Sequence, residues 1–180
     1  MDLIIQGRSL DTQRTMNKKV FVTRAIPEEG VLHLRNAGYE VDVGPKDGVL
    51  TRAELLECLK AKPYDAVLCL LTDKIDGEVF DVVPTAKIFA NYAVGFDNIN
   101  LPDAAARTIT VTNTPGVLTD TVAEHTFALM IALAHRVVEA DQFTRRGLYT
   151  GWAPLLLLGM DLKNKVLGIL GAGRLGERVA

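Results

Sequence analysis

Lys165-Val-Leu-Gly-Ile-Leu-Gly-Ala-Gly-Arg-Leu-Gly176 joins an apolar run, fit for a buried strand, directly to the spacing Gly171-x-Gly173-x-x-Gly176. A strand that runs into three glycines so spaced is the entry to a dinucleotide-binding βαβ unit. Gly171 permits the tight turn, Gly173 lets the backbone approach a pyrophosphate, and Gly176 lets the next helix pack close to the strand. The phosphates would rest on the N–H groups and positive end of that helix. The acidic residue that holds a ribose hydroxyl is expected roughly 20 residues further on, beyond residue 180 of this sequence. Without strands beside it, the stretch 165–180 is expected to be mobile or misplaced unless a partner covers it.

Working outward, the 180 residues suffice for one sizeable core, or for one domain and part of a second. Hydrophobic residues make up 48% and the net charge is −2, which argues against disorder and gives no electrostatic footprint for nucleic acid. No run reaches the roughly 18 apolar residues of a membrane span. The first fifteen residues hold too short an apolar stretch for a secretory signal and read as a non-core extension, with Met16 the natural start. A cytoplasmic protein is expected. Cys58 and Cys69 fall in helix-like and strand-like stretches and read as small buried thiols, with no metal site.

From residue 19 onward strands and helices alternate. Lys19–Thr23, Tyr39–Val43, Asp65–Leu71, Lys87–Ala90 and Thr108–Thr112 read as strands. Between them, Pro27-Glu-Glu starts a helix that Gly38 stops, Thr51-Arg-Ala-Glu54 has capping-box spacing, Gly77–Val83 is a short helix, and Pro102 opens another. This alternation predicts a parallel, doubly wound sheet, whose ligands bind beyond the carboxyl ends of the strands. Two loops have that address, Leu71-Thr72-Asp73 and Asn91 to Asn98, and Gly95 in the second can bring N–H groups close to an anion. Asp97 is either a site acid or, the preferred reading, a loop residue bonding its own backbone.

Thr121 and Glu124 have capping-box spacing and predict a long helix to about Ala140. Val122, Met130, Leu133 and Val137 form one apolar stripe, and Phe127, Ala128, Ile131 and Ala134 another. A helix apolar on two faces is covered on both, by another domain or by a partner subunit. His125 and His135 read as packing or surface residues, since no acid or nucleophile is placed beside them. Tyr149 and Trp152 are either interface anchors or loop packing, and Leu155–Leu158 local packing or interface.

Taken together, VFVTRAIPEEG, LLTDKID, NYAVGFDNIN, VTNTPGVLTDTVAEHTFALMIALAHRVVEADQF, RRGLYTGWAP and GILGAGRLG resemble the D-isomer-specific 2-hydroxyacid dehydrogenases, and within them the glyoxylate/hydroxypyruvate reductases. The resemblance covers nearly everything from Met16 to Ala180. It implies a flavodoxin-like substrate domain over 16–101 and the start of an incomplete Rossmann coenzyme domain over 102–180, with the active site in the cleft between the two domains. The implied reaction is hydride transfer between NAD or NADP and a small 2-oxo or 2-hydroxy acid. The resemblance places the substrate carboxylate on the N–H groups of Val94 and Gly95, with Leu71 as a pocket wall. It places Val122 beside the nicotinamide, and Arg174 and Leu175, between Gly171, Gly173 and Gly176, along the pyrophosphate. The long helix and the 145–154 arm resemble a dimerisation region, so a homodimer is implied.

The catalytic Arg, Glu and His of such enzymes match no position here, so no catalytic residue is assigned and the chain alone is expected to be inactive. The coenzyme choice is not readable. Two other readings stand beside this one: a non-catalytic interaction protein that pairs with a full-length relative or with another copy, and a small anion- or nucleotide-binding module.

Overall fold

The computed structural model describes residues 18–180; the expected extension 1–15 and the start at Met16 lie outside the described residues. The chain divides into two compact units, one ending at Pro115 and one running from Gly116 to Ala180.

The first unit holds five strands, β1 (Lys19–Val22), β2 (Glu40–Val43), β3 (Ala66–Leu70), β4 (Ile88–Tyr92) and β5 (Thr110–Thr112). They form one sheet in the order β2-β1-β3-β4-β5, with every pairing parallel. That is the flavodoxin-like strand order, and the expected doubly wound fold is the one observed. Four helices cross over between the strands: α1 (Glu28–Asn36), α2 (Arg52–Lys60), α3 (Gly77–Val82) and α4 (Leu101–Ala106). The capping box at Thr51 is formed, the Thr51 hydroxyl accepting from Glu54 N–H while the Glu54 carboxylate accepts from Thr51 N–H. Lys46 and these cap bonds hold the Glu54 carboxyl down at about 2. The α1 end also follows the sequence, with Gly38 at φ 90° just beyond it.

Side chains alternate across the strands, so each face of the sheet builds its own core. On one face Phe21, Val67 and Phe89 stand in register across β1, β3 and β4. Helices α2, α3 and α4 close over them with Leu55, Leu59, Val79, Phe80 and Ala104. The rings of Phe80 and Phe89 meet edge to face, their centroids 4.9 Å apart. On the other face α1 packs Val31 against Val20, Val22 and Val41.

The sequence reading divides the domains after Leu101, yet α4 and β5 complete the sheet of the first unit. The physical reason is the ladder, since Thr110, Val111 and Thr112 pair with Ile88, Phe89 and Ala90.

The second unit contains α5 (Thr119–Ala134), α6 (Val137–Arg145) and α7 (Arg174–Val179). The expected single helix from Thr121 to Ala140 is therefore two. Its start lies three residues earlier than the capping-box spacing suggests, at a Leu118 cap that makes no side-chain bond. Its interruption comes from a segment distant in the chain. Met160 N–H donates to the Ala134 carbonyl at 2.8 Å, taking the acceptor that the next helical N–H would use, and Arg136 turns left-handed at φ 53°. Gly159 permits this approach, for a Cβ there would lie 2.6 Å from that carbonyl oxygen.

The strand expected over 165–170 is likewise absent, and Val166 and Leu170 are fully exposed. A strand draws its hydrogen bonds from neighbours, and among the described residues this segment has none. Helix α7 does form, and it is tied to α5 by an ion pair between Arg178 and Asp120 at 2.5 Å. No helix among the described residues is long and apolar enough to cross a membrane.

Candidate functional site

The carboxyl ends of β1, β3 and β4 carry the three buried polar side chains of the first unit, Thr23, Asp73 and Asn91. Buried polar groups need partners, and here they satisfy one another and the loops. Thr23 Oγ1 donates to Asp73 Oδ2 at 2.5 Å, and Leu70 N–H donates to the same oxygen at 2.8 Å. This pair spans the point between β1 and β3 where the strand order reverses. Asp73 is thereby committed to holding the turn after β3.

The loop after β4 is built by side-chain amides. Asn91 and Asn98 face each other reciprocally, Asn91 Nδ2 donating to Asn98 Oδ1 at 2.9 Å and Asn98 Nδ2 to Asn91 Oδ1 at 3.2 Å. The second N–H of Asn91 reaches the Gly95 carbonyl at 2.9 Å, and Asn98 also reaches the Leu70 and Asp73 carbonyls at 3.1 Å each. Asn113, just after β5, donates to the Val94 carbonyl at 2.7 Å, and Thr114 N–H donates to the Ala93 carbonyl at 2.8 Å.

Three successive carbonyls are thus tied down. In a trans peptide the N–H of the next residue points the opposite way. The N–H groups of Val94 and Gly95 accordingly both turn away from the 113–114 segment, and the Phe96 N–H turns away from Asn91. None of the three has an acceptor among the described residues. Adjacent N–H groups facing one side form a concavity suited to an anion.

Of the residues expected to contact substrate, the structure brings Leu71, Val94 and Gly95 to the carboxyl end of the sheet. Leu70 pairs with Tyr92, which sets the loops after β3 and β4 side by side. Leu71 is 64% exposed there. A Cβ at Gly95 would meet one atom within 4 Å, Asp97 Oδ1 at 2.9 Å. Asp97 itself is exposed and makes no hydrogen bond among the described residues. Gly95 is legible in the sequence, whereas the roles of Asn91, Asn98 and Asn113 are not, because they depend on contacts across 4 to 28 positions of chain.

Cys69 lies at the base of this network, wholly buried, with Sγ 3.6 Å from Asn91 Oδ1. Burial, with Asp73 nearby, pushes its thiol up to about 12, so it is a packing group and not a nucleophile. Burial raises the half-buried Cys58 thiol as well.

The glycine turn belongs to the second unit. Gly171 has φ 97°, a conformation that favours glycine. A Cβ on Gly176 would come within 2.1 Å of the Gly171 carbonyl oxygen, so only glycine lets the first turn of α7 fold back onto the loop. Gly173 has open space where a Cβ would stand. Arg174 and Leu175 form the start of α7, and Val122 lies exposed on α5. His125 and His135 are exposed, as the sequence reading favours.

Residues 20–154 match the family described as D-isomer specific 2-hydroxyacid dehydrogenase, catalytic domain. The chain belongs to this family. A glyoxylate reductase of Thermococcus gammatolerans is 47% identical over 169 residues, covering 92% of this chain and 50% of its own. Among solved structures, a Thermus thermophilus protein matches at 42% identity with a TM-score of 0.83, covering 89% of this chain and 51% of its own. The NADPH-dependent glyoxylate/hydroxypyruvate reductase of Sinorhizobium meliloti, solved with NADP and malonate, matches at 27% identity with a TM-score of 0.67, covering 90% and 48%. The chain spans about half the length of the relatives it matches.

Proposed function

We propose that this 2-hydroxyacid dehydrogenase chain carries the N-terminal half of an NAD(P)-dependent reductase that converts a 2-oxo acid, such as glyoxylate or hydroxypyruvate, to the D-2-hydroxy acid. The observation that carries the reading is the pair of N–H groups on Val94 and Gly95, turned the same way and free of protein acceptors among the described residues. Adjacent N–H groups carry the partial positive charge that a substrate carboxylate seeks, and Leu71 supplies an apolar wall beside them. The first unit is the substrate-binding one, and the unit from Gly116 is the start of the coenzyme-binding one.

The glycine turn fits a dinucleotide. Gly171 takes the left-handed turn, Gly176 admits the close fold-back, and the open side of Gly173 leaves room for a pyrophosphate along the backbone of Arg174 and Leu175. Val122 would lie against the nicotinamide. When bound, the coenzyme supplies or takes up a hydride. This chain's own part is to fix the carboxylate and hold the 2-oxo group in one orientation, a positioning role. No Arg, Glu or His of the chain is assigned to orient the carbonyl or to exchange the proton, and the isolated chain is therefore proposed to be inactive.

A titration of the 15N-labelled chain with glyoxylate tests the reading. The amide signals of Val94, Gly95 and Phe96 are expected to shift with millimolar affinity, worth about 4 kcal/mol, and NADH is expected to shift those of Gly171 to Leu175. Glyoxylate shifts confined to other residues would remove it.

A specific observation favours self-association as well. Leu133, Trp152 and Leu155 are each 81% exposed in the second unit, too much apolar surface for a solitary chain. We propose that this surface pairs with a second copy. Size-exclusion chromatography with light scattering should give twice the mass of one chain, and a stable monomer would refute the pairing.

A further inference from the structure

We infer that Asn113 and the Asn91–Asn98 amide pair are positioning residues, which aim the N–H groups of Val94, Gly95 and Phe96 at the substrate carboxylate. The inference rests on the proposed substrate reading and adds to it the device that sets the loop. A loop of this kind, rich in exposed backbone, has many peptide orientations of similar energy. What selects one here is a set of side-chain donors that capture carbonyls on the inner side.

Asn113 Nδ2 holds the Val94 carbonyl at 2.7 Å, which turns the Gly95 N–H outward. Asn91 Nδ2 holds the Gly95 carbonyl at 2.9 Å, which turns the Phe96 N–H outward. Asn91 is 2% exposed and could not do this alone, because an amide has two N–H groups and one oxygen to satisfy. Asn98 completes it, accepting one bond from Asn91 and sharing its own two N–H groups among Asn91 Oδ1 and the Leu70 and Asp73 carbonyls after β3. The loop after β4 is thereby referenced to two neighbouring strands, β3 through Asn98 and β5 through Asn113. A carboxylate that arrives finds its donors already oriented, so little binding energy goes into ordering them.

The choice of asparagine has a chemical reason. Aspartate has the same shape but only accepts, so it would set oxygen against the carbonyls of Leu70 and Asp73. Alanine would leave the carbonyls uncaptured and the peptides free to rotate.

The test uses the 15N-labelled 180-residue chain with glyoxylate as probe, in wild type, Asn113→Ala, Asn98→Ala and Phe80→Leu. Phe80→Leu weakens the core without touching the loop, and so reports what a merely structural loss does to binding. Asn113→Ala and Asn98→Ala are each expected to weaken glyoxylate binding by about tenfold. The ligand-induced shift should be lost at Gly95 in the first and at Phe96 in the second. Phe80→Leu should keep the wild-type affinity and shifts.

Asn113 lies at a half-buried loop position, so its variant decides the matter even where Asn98→Ala does not fold. Wild-type affinity and shifts in Asn113→Ala would overturn the inference while leaving the substrate reading intact. Failure of the wild-type chain to shift at Val94 to Phe96 would overturn the substrate reading, and the positioning role with it.

Discussion

Phe89→Ala is expected to lower the stability of the first unit by about 3–5 kcal/mol. Phe89 sits in β4 with no solvent exposure, between Val67 on the neighbouring strand and the ring of Phe80 on α3. Truncation removes the transfer energy of the ring and leaves a cavity that sheet and helix cannot close together. It also deletes the edge-to-face contact, worth about 0.5–1.5 kcal/mol in such pairs. Against a total stability of roughly 5–15 kcal/mol for a domain, this is a large share of the margin. Urea unfolding followed by circular dichroism measures it. Phe89→Leu, which keeps most of the volume, should cost under about 1.5 kcal/mol. A loss below about 1 kcal/mol for the alanine variant would show that the two-strand, one-helix packing around Phe89 is not the centre of this core. The variant bears on function too, because β4 leads directly into Asn91 and the anion-facing loop.

The isolated chain, supplied with glyoxylate and either NADH or NADPH, is expected to turn over at least ~10²–10⁴-fold more slowly than the roughly 1–10³ s⁻¹ of ordinary enzymes. Reduction of a 2-oxo group needs a proton delivered as the hydride arrives, and that transfer alone accounts for the factor quoted. The ionisable side chains near the loop include Asp73, Lys74, Tyr92 and Asp97, and none of them is assigned to deliver that proton. Asp73 is buried and engaged by Thr23 and Leu70, and Asp97 is exposed and makes no hydrogen bond among the described residues. His125 and His135 belong to the second unit and are exposed. Loss of absorbance at 340 nm in a steady-state assay gives the rate. A kcat within the ordinary range, retained in His125→Ala and His135→Ala, would mean that this chain holds a proton donor the proposed reading does not contain.

Much of the first unit was legible from local pattern. The strands β1, β3 and β4 have short apolar cores, β2 and β5 alternate, and the helices carry start signals of their own, Thr51 with Glu54 being the clearest. These signals act over a few residues and survive the change from chain to fold. The failures came at the start of the long helix, at the point where a distant segment intervened, and where neighbouring strands were lacking. Thr121 and Glu124 have capping-box spacing, but the helix begins at Thr119. The apolar stripes run on past Ala134, but Met160 takes the Ala134 carbonyl and the helix stops. Lys165 to Leu170 has the composition of a central strand, but strand character is conferred by neighbours, and it has none among the described residues. The candidate site divides the same way: Gly95 was visible as a backbone that can approach an anion, while the three asparagines that orient it were not.

Composition and periodicity, then, determined a parallel α/β sheet in its correct succession of elements, the place of the ligand loops at the strand ends, and the glycine turn of the second unit. Motif spacing carried the family. Only tertiary structure decided that α4 and β5 complete the first unit, and which way the peptides of Val94, Gly95 and Phe96 face. The reason is physical: strand and helix formation answer to side chains a few positions apart, whereas a peptide plane in a loop has no local preference strong enough to orient it. Its direction is set by whichever donor captures its carbonyl, and here those donors, Asn91 and Asn113, are brought in by the ends of β4 and β5.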